Sequence, residues 1–147
     1  MKLTKASLFA LYAVLELASN PERQVTTSRI AEKYGISTNH LAKIMRTLIQ
    51  NGVVQAVRGS GGGCRFVGSV DRTTLFDIIQ LFEKLDSEFD IPAYGNDTCF
   101  SIVDELQNIR KEIDGHASAV LNSITLATAL KNFRQCPELG TEVLTSL

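Results

Sequence analysis

A chain of 147 residues suffices for one compact domain with its own core and is short for two independent ones. With 44 % hydrophobic and 21 % charged residues the composition is that of an ordinary globular protein, which excludes fibrous and disordered chains; no apolar run reaches the roughly 18 to 20 residues that cross a bilayer. The net charge of −1 hides an asymmetry, because residues 1–72 hold ten Lys/Arg against four Asp/Glu while residues 73–147 hold five against twelve, the layout of a polyanion-binding half joined to an acidic half that stays away from it.

Met1-Lys2-Leu3-Thr4-Lys5 leads into a helical pattern carrying Tyr12 and Glu16 without a small-residue cleavage site, so a cytoplasmic protein is expected. Thr4 can cap this first helix, with Leu8, Leu11, Leu15 and Ala18 on one face and Asn20-Pro21 as its stop. A second helix begins near Thr27-Ser28 and runs through Ile30 to Tyr34, until Gly35 supplies the left-handed residue that ends helices. Ser37 then caps a third helix, apolar at Leu41, Ile44, Met45, Leu48 and Ile49 and polar at Asn39, Lys43, Arg46 and Gln50. Asn51-Gly52 ends it.

The period then changes from helical to extended. Val53 to Val57 and Cys64 to Val67 read as two short strands joined by Arg58-Gly59-Ser60-Gly61-Gly62-Gly63, a hairpin with a glycine-rich tip. Thr74 and Asp77 have capping-box spacing and open an amphipathic helix through Ile78, Ile79, Leu81, Phe82 and Leu85. Asp86 to Asp97, with Asp86, Glu88, Asp90, Pro92 and Gly95, reads as an exposed acidic loop rather than a cation site. From about Thr98 a long helix follows, with Cys99, Val103, Leu106, Ile113, Ala117, Val120, Ile124 and Ala127 at alternating steps of four and three and Arg110 interrupting the seam. Such a seam calls for a partner helix. Thr125 can cap a last helix from Leu126 to Phe133, and Pro137 ends ordered helix.

Two helices around a short glycine turn form a helix-turn-helix pattern, here extended by a basic hairpin that serves as a wing. The second helix would enter the major groove by its N-terminal end, where Thr38, Asn39 and His40 meet base edges and unpaired N–H groups favour a phosphate, with the capping Ser37 counted among the DNA-binding residues. Asn39 has the geometry for adenine, Lys43 for guanine or phosphate, and Arg46 for the DNA backbone. Ser28, at the head of the preceding helix, joins this set. On the wing, Arg58, Ser60, Gly61, Gly62 and Arg65 would approach phosphate or the minor groove, glycines allowing contact without Cβ collisions. The fold class expected is therefore mainly α with a small β-hairpin wing, a winged helix-turn-helix (residues 1–72) followed by a helical dimerisation and sensor region (residues 73–147).

Met1 to Thr4, Ile30 to Ser37, His40 to Ile44, Val57 to Gly62, Leu75 to Ile79 and Thr125 to Ala127 together resemble the Rrf2 family of bacterial transcription regulators, nearly over the whole chain. The resemblance implies a homodimer formed by the long helix, with two reading heads on double-stranded DNA of near two-fold symmetry. It also implies, in several members, an iron–sulfur cluster on three closely spaced cysteines in the loop and at the start of the long helix. That region offers only Cys99 here, and the family's acidic residue near the middle of the first helix is matched by Leu8. Thiolate clusters take three or four ligands, so no cluster and no other cofactor or metal is expected. Cys99 remains as a redox-sensing thiol or a packing residue, Cys64 as a structural one, and Cys136 as incidental.

Among other classes, an enzyme finds no support. Gly61-Gly62-Gly63 lacks a following Lys-Ser or Lys-Thr and precedes a strand, so it is no phosphate loop. The other alternative is a winged helix that acts through a protein partner.

Overall fold

The computed structural model describes residues 3–84 and 97–134. It is mainly helical, with one two-stranded antiparallel hairpin: α1 Lys5–Ser19, α2 Thr27–Tyr34, α3 Thr38–Gln50, β1 Val54–Val57, β2 Gly63–Phe66, α4 Leu75–Ile79, α5 Asp97–Ser123 and α6 Leu126–Arg134. No helix among the described residues is long and apolar enough to cross a membrane.

Helix α1 is the centre of the fold and touches α2, α3, α4, α6 and β2. Because neighbours lie on several sides, its buried positions are Ser7, Ala10, Leu11, Ala13, Val14, Leu17 and Ala18, and not the single stripe expected from the sequence: Leu8 and Leu15 are only half-buried. The fully buried Ala10 and Ala13 let other elements approach the helix backbone closely. The Thr4 cap forms as expected, its hydroxyl accepting from the Ser7 N–H.

The same core takes in Ile30 and Ala31 of α2, Leu41, Ile44, Met45 and Leu48 of α3, Ile78 and Ile79 of α4, and Leu126 and Leu130 of α6. The C-terminal helix thus returns to α1. Thr125 pairs with Thr74 as an isolated β-bridge, Leu75 N–H donates to the Ile124 carbonyl at 2.9 Å, and Leu126 N–H donates to Thr73 at 2.8 Å. Thr125 also caps α6, accepting from the Thr128 N–H at 3.2 Å.

The Thr74–Asp77 capping box is present, but α4 stops at Ile79 instead of running to Leu85. The N–H groups of Leu81 and Phe82 bond back three residues, to Ile78 and Ile79, so a tight turn carries these side chains onto the core. Glu83 beyond it reaches α1: its carboxylate accepts from the Thr4 N–H at 2.6 Å and from the Ser7 hydroxyl. Burial works against that charge, but the hydrogen bonds outweigh it and hold the carboxyl below its ordinary value. Leu85, the acidic-loop expectation up to Asn96, Cys136 and Pro137 lie outside the described residues.

Candidate nucleic-acid interface

Helix α2 begins at a Thr26 cap and ends on Gly35, whose φ of 64° and ψ of 33° are left-handed. The next residue, Ile36, is buried and its N–H donates to the Ala31 carbonyl at 2.8 Å, which fixes the turn between the helices. Ser37 caps α3 through the His40 N–H. The helix is thereby held with Leu41, Ile44, Met45 and Leu48 inward. Ser37, Thr38, Asn39, Lys43 and Arg46 are exposed together on the outer side, and Ser28 is exposed at the head of α2. Ile49, expected on the apolar side, is 37 % exposed and lies at the margin of the core.

The hairpin pairs Val54 with Phe66, Gln55 with Arg65, Ala56 with Cys64 and Val57 with Gly63. Arg58, Ser60 and Gly61 are exposed at its tip and Gly62 is half-buried. Gly61 has a φ of 77°. A Cβ on Gly62 would lie 2.5 Å from the Val57 carbonyl oxygen, so a side chain there would force the tip open. Arg65 is less free than the sequence implied: its Nε and Nη2 donate to the Gln55 Oε1 at 3.1 and 2.8 Å, which lays the guanidinium across the hairpin.

The base of the wing is tied to the helices by Val25, which exchanges two backbone hydrogen bonds with Cys64 at 3.0 and 2.8 Å immediately before the Thr26 cap. A Cβ on Gly63 would come within 2.8 Å of the Val25 carbonyl, so this close approach needs glycine. Cys64 is buried here, and burial pushes its thiol pKa up while a hydrogen bond with Thr27 opposes the shift. It is a protonated packing residue, as its place in the strand suggested.

His40 differs from its neighbours. It is half-buried, and its ring meets Phe9 of α1 edge-on at a centroid distance of 5.3 Å and 72°. Phe9 in turn lies 6.4 Å from Tyr12, and Tyr12 stacks on Tyr34 at 5.2 Å and 17°. The Tyr34 hydroxyl donates to Glu16 at 2.8 Å, and the Lys33 ammonium reaches the same carboxylate oxygen at 2.7 Å. Burial raises the Glu16 pKa, but these two donors outweigh it and hold it below its ordinary value; burial and the same hydrogen bond push the Tyr34 hydroxyl upward. Sequence reading missed this aromatic and ionic row, whose partners are up to 31 residues apart.

A second exposed surface runs along α5. Ile102, Leu106, Ile109, Ile113 and Val120 are 64, 59, 46, 54 and 58 % exposed, large apolar residues left in water. The expected seam is thus shifted: Val103 is half-buried, and Ile102 and Ile109 take the places assigned to Val103 and Arg110. Arg110 does not interrupt the stripe. Its Nε pairs with Asp114 at 3.4 Å, one turn along. His116 is exposed, 3.9 Å from Glu112.

Cys64 is buried at the wing base and Cys99 belongs to the head of α5, and among the described residues no group of three His, Cys, Asp or Glu side chains is placed to hold a metal ion.

Comparison with known proteins places this geometry. Residues 3–132 match the model of the Rrf2 family, described as an iron-dependent transcriptional regulator. The HTH-type transcriptional regulator BadM of Rhodopseudomonas palustris is 44 % identical over 131 residues, covering 89 % of this chain and 82 % of the relative. Among solved structures, IscR of T. potens superposes with a TM-score of 0.73 at 26 % identity, covering 94 % of this chain and 93 % of that one. CymR of B. subtilis, a global cysteine regulator, does so with 0.70 at 22 % identity over 90 and 98 %.

Proposed function

The chain belongs to the Rrf2 family of transcriptional regulators, a family that binds DNA and is not enzymatic, and from that premise we propose how it reads its target. A homodimer grips a near-palindromic operator in the cytoplasm, each protomer inserting the N-terminal end of α3 into the major groove and laying the hairpin tip along the adjacent backbone. The observation that carries this is the split character of α3: a fully buried inner face fixes the helix, and Thr38, Asn39, Lys43 and Arg46 are left exposed on the other. Asn39 offers a bidentate amide to a base edge, Lys43 and Arg46 offer cations to guanine or phosphate, and Arg58 offers one from the wing.

The same reading assigns the apolar stripe of α5 to the partner protomer. Exposed Ile102, Leu106, Ile109, Ile113 and Val120 follow steps of four, three, four and seven residues, the spacing of a helix that pairs with another. The signal is conveyed by something other than a three-thiolate cluster, because one cysteine at the head of α5 cannot complete such a cage.

The test is a salt titration on a duplex enriched by the protein from a random library. Binding through several phosphates weakens steeply between about 50 and 200 mM salt. Loss of binding by that course supports the reading; no enriched duplex and no salt-sensitive binding overturns it in favour of a protein-binding winged helix.

A further inference from the structure

The row from His40 through Phe9, Tyr12 and Tyr34 to Glu16 runs from the first turn of α3, across the outer side of α1, to the end of α2. Its two ends differ in kind. At the α2 end, Lys33 and Tyr34 both hold Glu16, and the Lys33 ammonium sits 5.5 Å from the Tyr34 ring centre, so α1 and α2 are locked by charge and hydrogen bonds. At the α3 end the row closes on a ring contact without charge, Phe9 against His40, beside the buried packing of Leu41 in the core. His40 directly follows the exposed Thr38 and Asn39, and its own backbone N–H closes the Ser37 cap. A residue that both closes the cap and rests its side chain on α1 adds a tie between that turn and α1.

We propose that Phe9 is a positioning residue for sequence recognition: its ring fixes the His40 imidazole, and through it sets the first turn of α3 for base contact. Phe9 itself touches no DNA in this role. The proposal rests on the DNA-reading assignment above. It divides the first turn of α3 into exposed residues that contact bases, Thr38 and Asn39, and a half-buried one whose orientation is decided from another helix. An edge-on aromatic pair contributes enough to bias such an orientation without deciding whether the domain folds.

The test uses the full chain with Phe9→Leu, which removes the ring but keeps an apolar side chain, Phe9→Tyr, which keeps the ring, His40→Ala, and the double variant Phe9→Leu with His40→Ala. In the free protein, the His40 imidazole proton resonances carry the ring-current shift of Phe9, with exposed His116 as internal reference. The shift is expected in the wild type and in Phe9→Tyr and is expected to vanish in Phe9→Leu. On DNA, the ratio of affinities for the enriched duplex and a scrambled duplex is expected to fall roughly twofold to tenfold in Phe9→Leu. Phe9→Tyr is expected to keep it, affinity for the scrambled duplex to stay unchanged, and Phe9→Leu to add nothing once His40 is alanine. The proposal is overturned if Phe9→Leu leaves the ratio unchanged, or lowers it equally with and without His40. If the wild type enriches no duplex, the DNA assignment falls first and this proposal with it; if it enriches one and the coupling is absent, only the proposal falls.

Discussion

In α3, Leu41, Ile44, Met45 and Leu48 are buried and the polar residues face outward, whereas in α5 the large apolar residues Ile102, Leu106, Ile109, Ile113 and Val120 face outward. Each helix exposes what its counterpart in the proposed complex requires. A phosphate backbone and base edges call for cations and hydrogen-bonding groups, and a second protomer's helix calls for apolar area removed from water. The two surfaces are joined through α6 and α4, since the strand-like contact of Thr74 with Thr125 leads the end of α5 into the core beneath α1.

The strongest way to break the comparison is to make α5 resemble α3. Placing charge in the stripe with Leu106→Glu and Ile113→Glu is expected to give a monomer by sedimentation and to weaken operator binding by about 100-fold or more, because one tethered reading head no longer assists the other. A double variant that remains dimeric would show that the stripe is not the interface. Asn39→Ala tests the other surface: operator binding is expected to weaken by roughly 1 to 3 kcal/mol with little change on scrambled DNA. Equal losses on both duplexes would move Asn39 from base reading to backbone contact.

A smaller effect concerns the link between α1 and α2. Glu16 is held below its ordinary value of 4.5 in the fold, so its stabilisation is present above about pH 4.5 and is lost as pH falls through the lower folded value. Glu16→Gln removes this contribution, and thermal melts between pH 3 and 7 are expected to show a lower stability near neutrality, by about 1 kcal/mol, with the gap to wild type closing in acid. A constant gap would mean that shape rather than charge holds Lys33 and Tyr34. Arg58→Ala should give the smallest change, a loss of a few-fold on all duplexes alike and a salt slope reduced by about one. A preference change confined to the operator would instead make the wing a sequence reader.

Much of the helix-turn-helix and its hairpin was legible because its signals are local. Thr4, Ser37, Thr74 and Thr125 each cap a helix within three residues of themselves, and Gly35 supplies a left-handed end at the residue where the pattern breaks. The glycine-tipped hairpin followed from a change of period and from its tip composition. The length of α4 was not legible, since Leu81 and Phe82 satisfy a helical pattern as well as the turn that delivers them to the core. Nor was the restraint on Arg65, which depends on the cross-strand register that places Gln55 opposite it.

The sequence by itself therefore determined the caps, the helix-turn-helix with its wing and the existence of an apolar seam on the last long helix, because each is written in residues within a turn or two of one another. Only the tertiary structure decided the phase of that seam. Steps of four and three describe 102, 106, 109 and 113 as well as 103, 106, 110 and 113, and which set is left in water depends on what packs beside the helix. It also decided that His40 rests on Phe9, a contact between two residues 31 positions apart that no local pattern encodes.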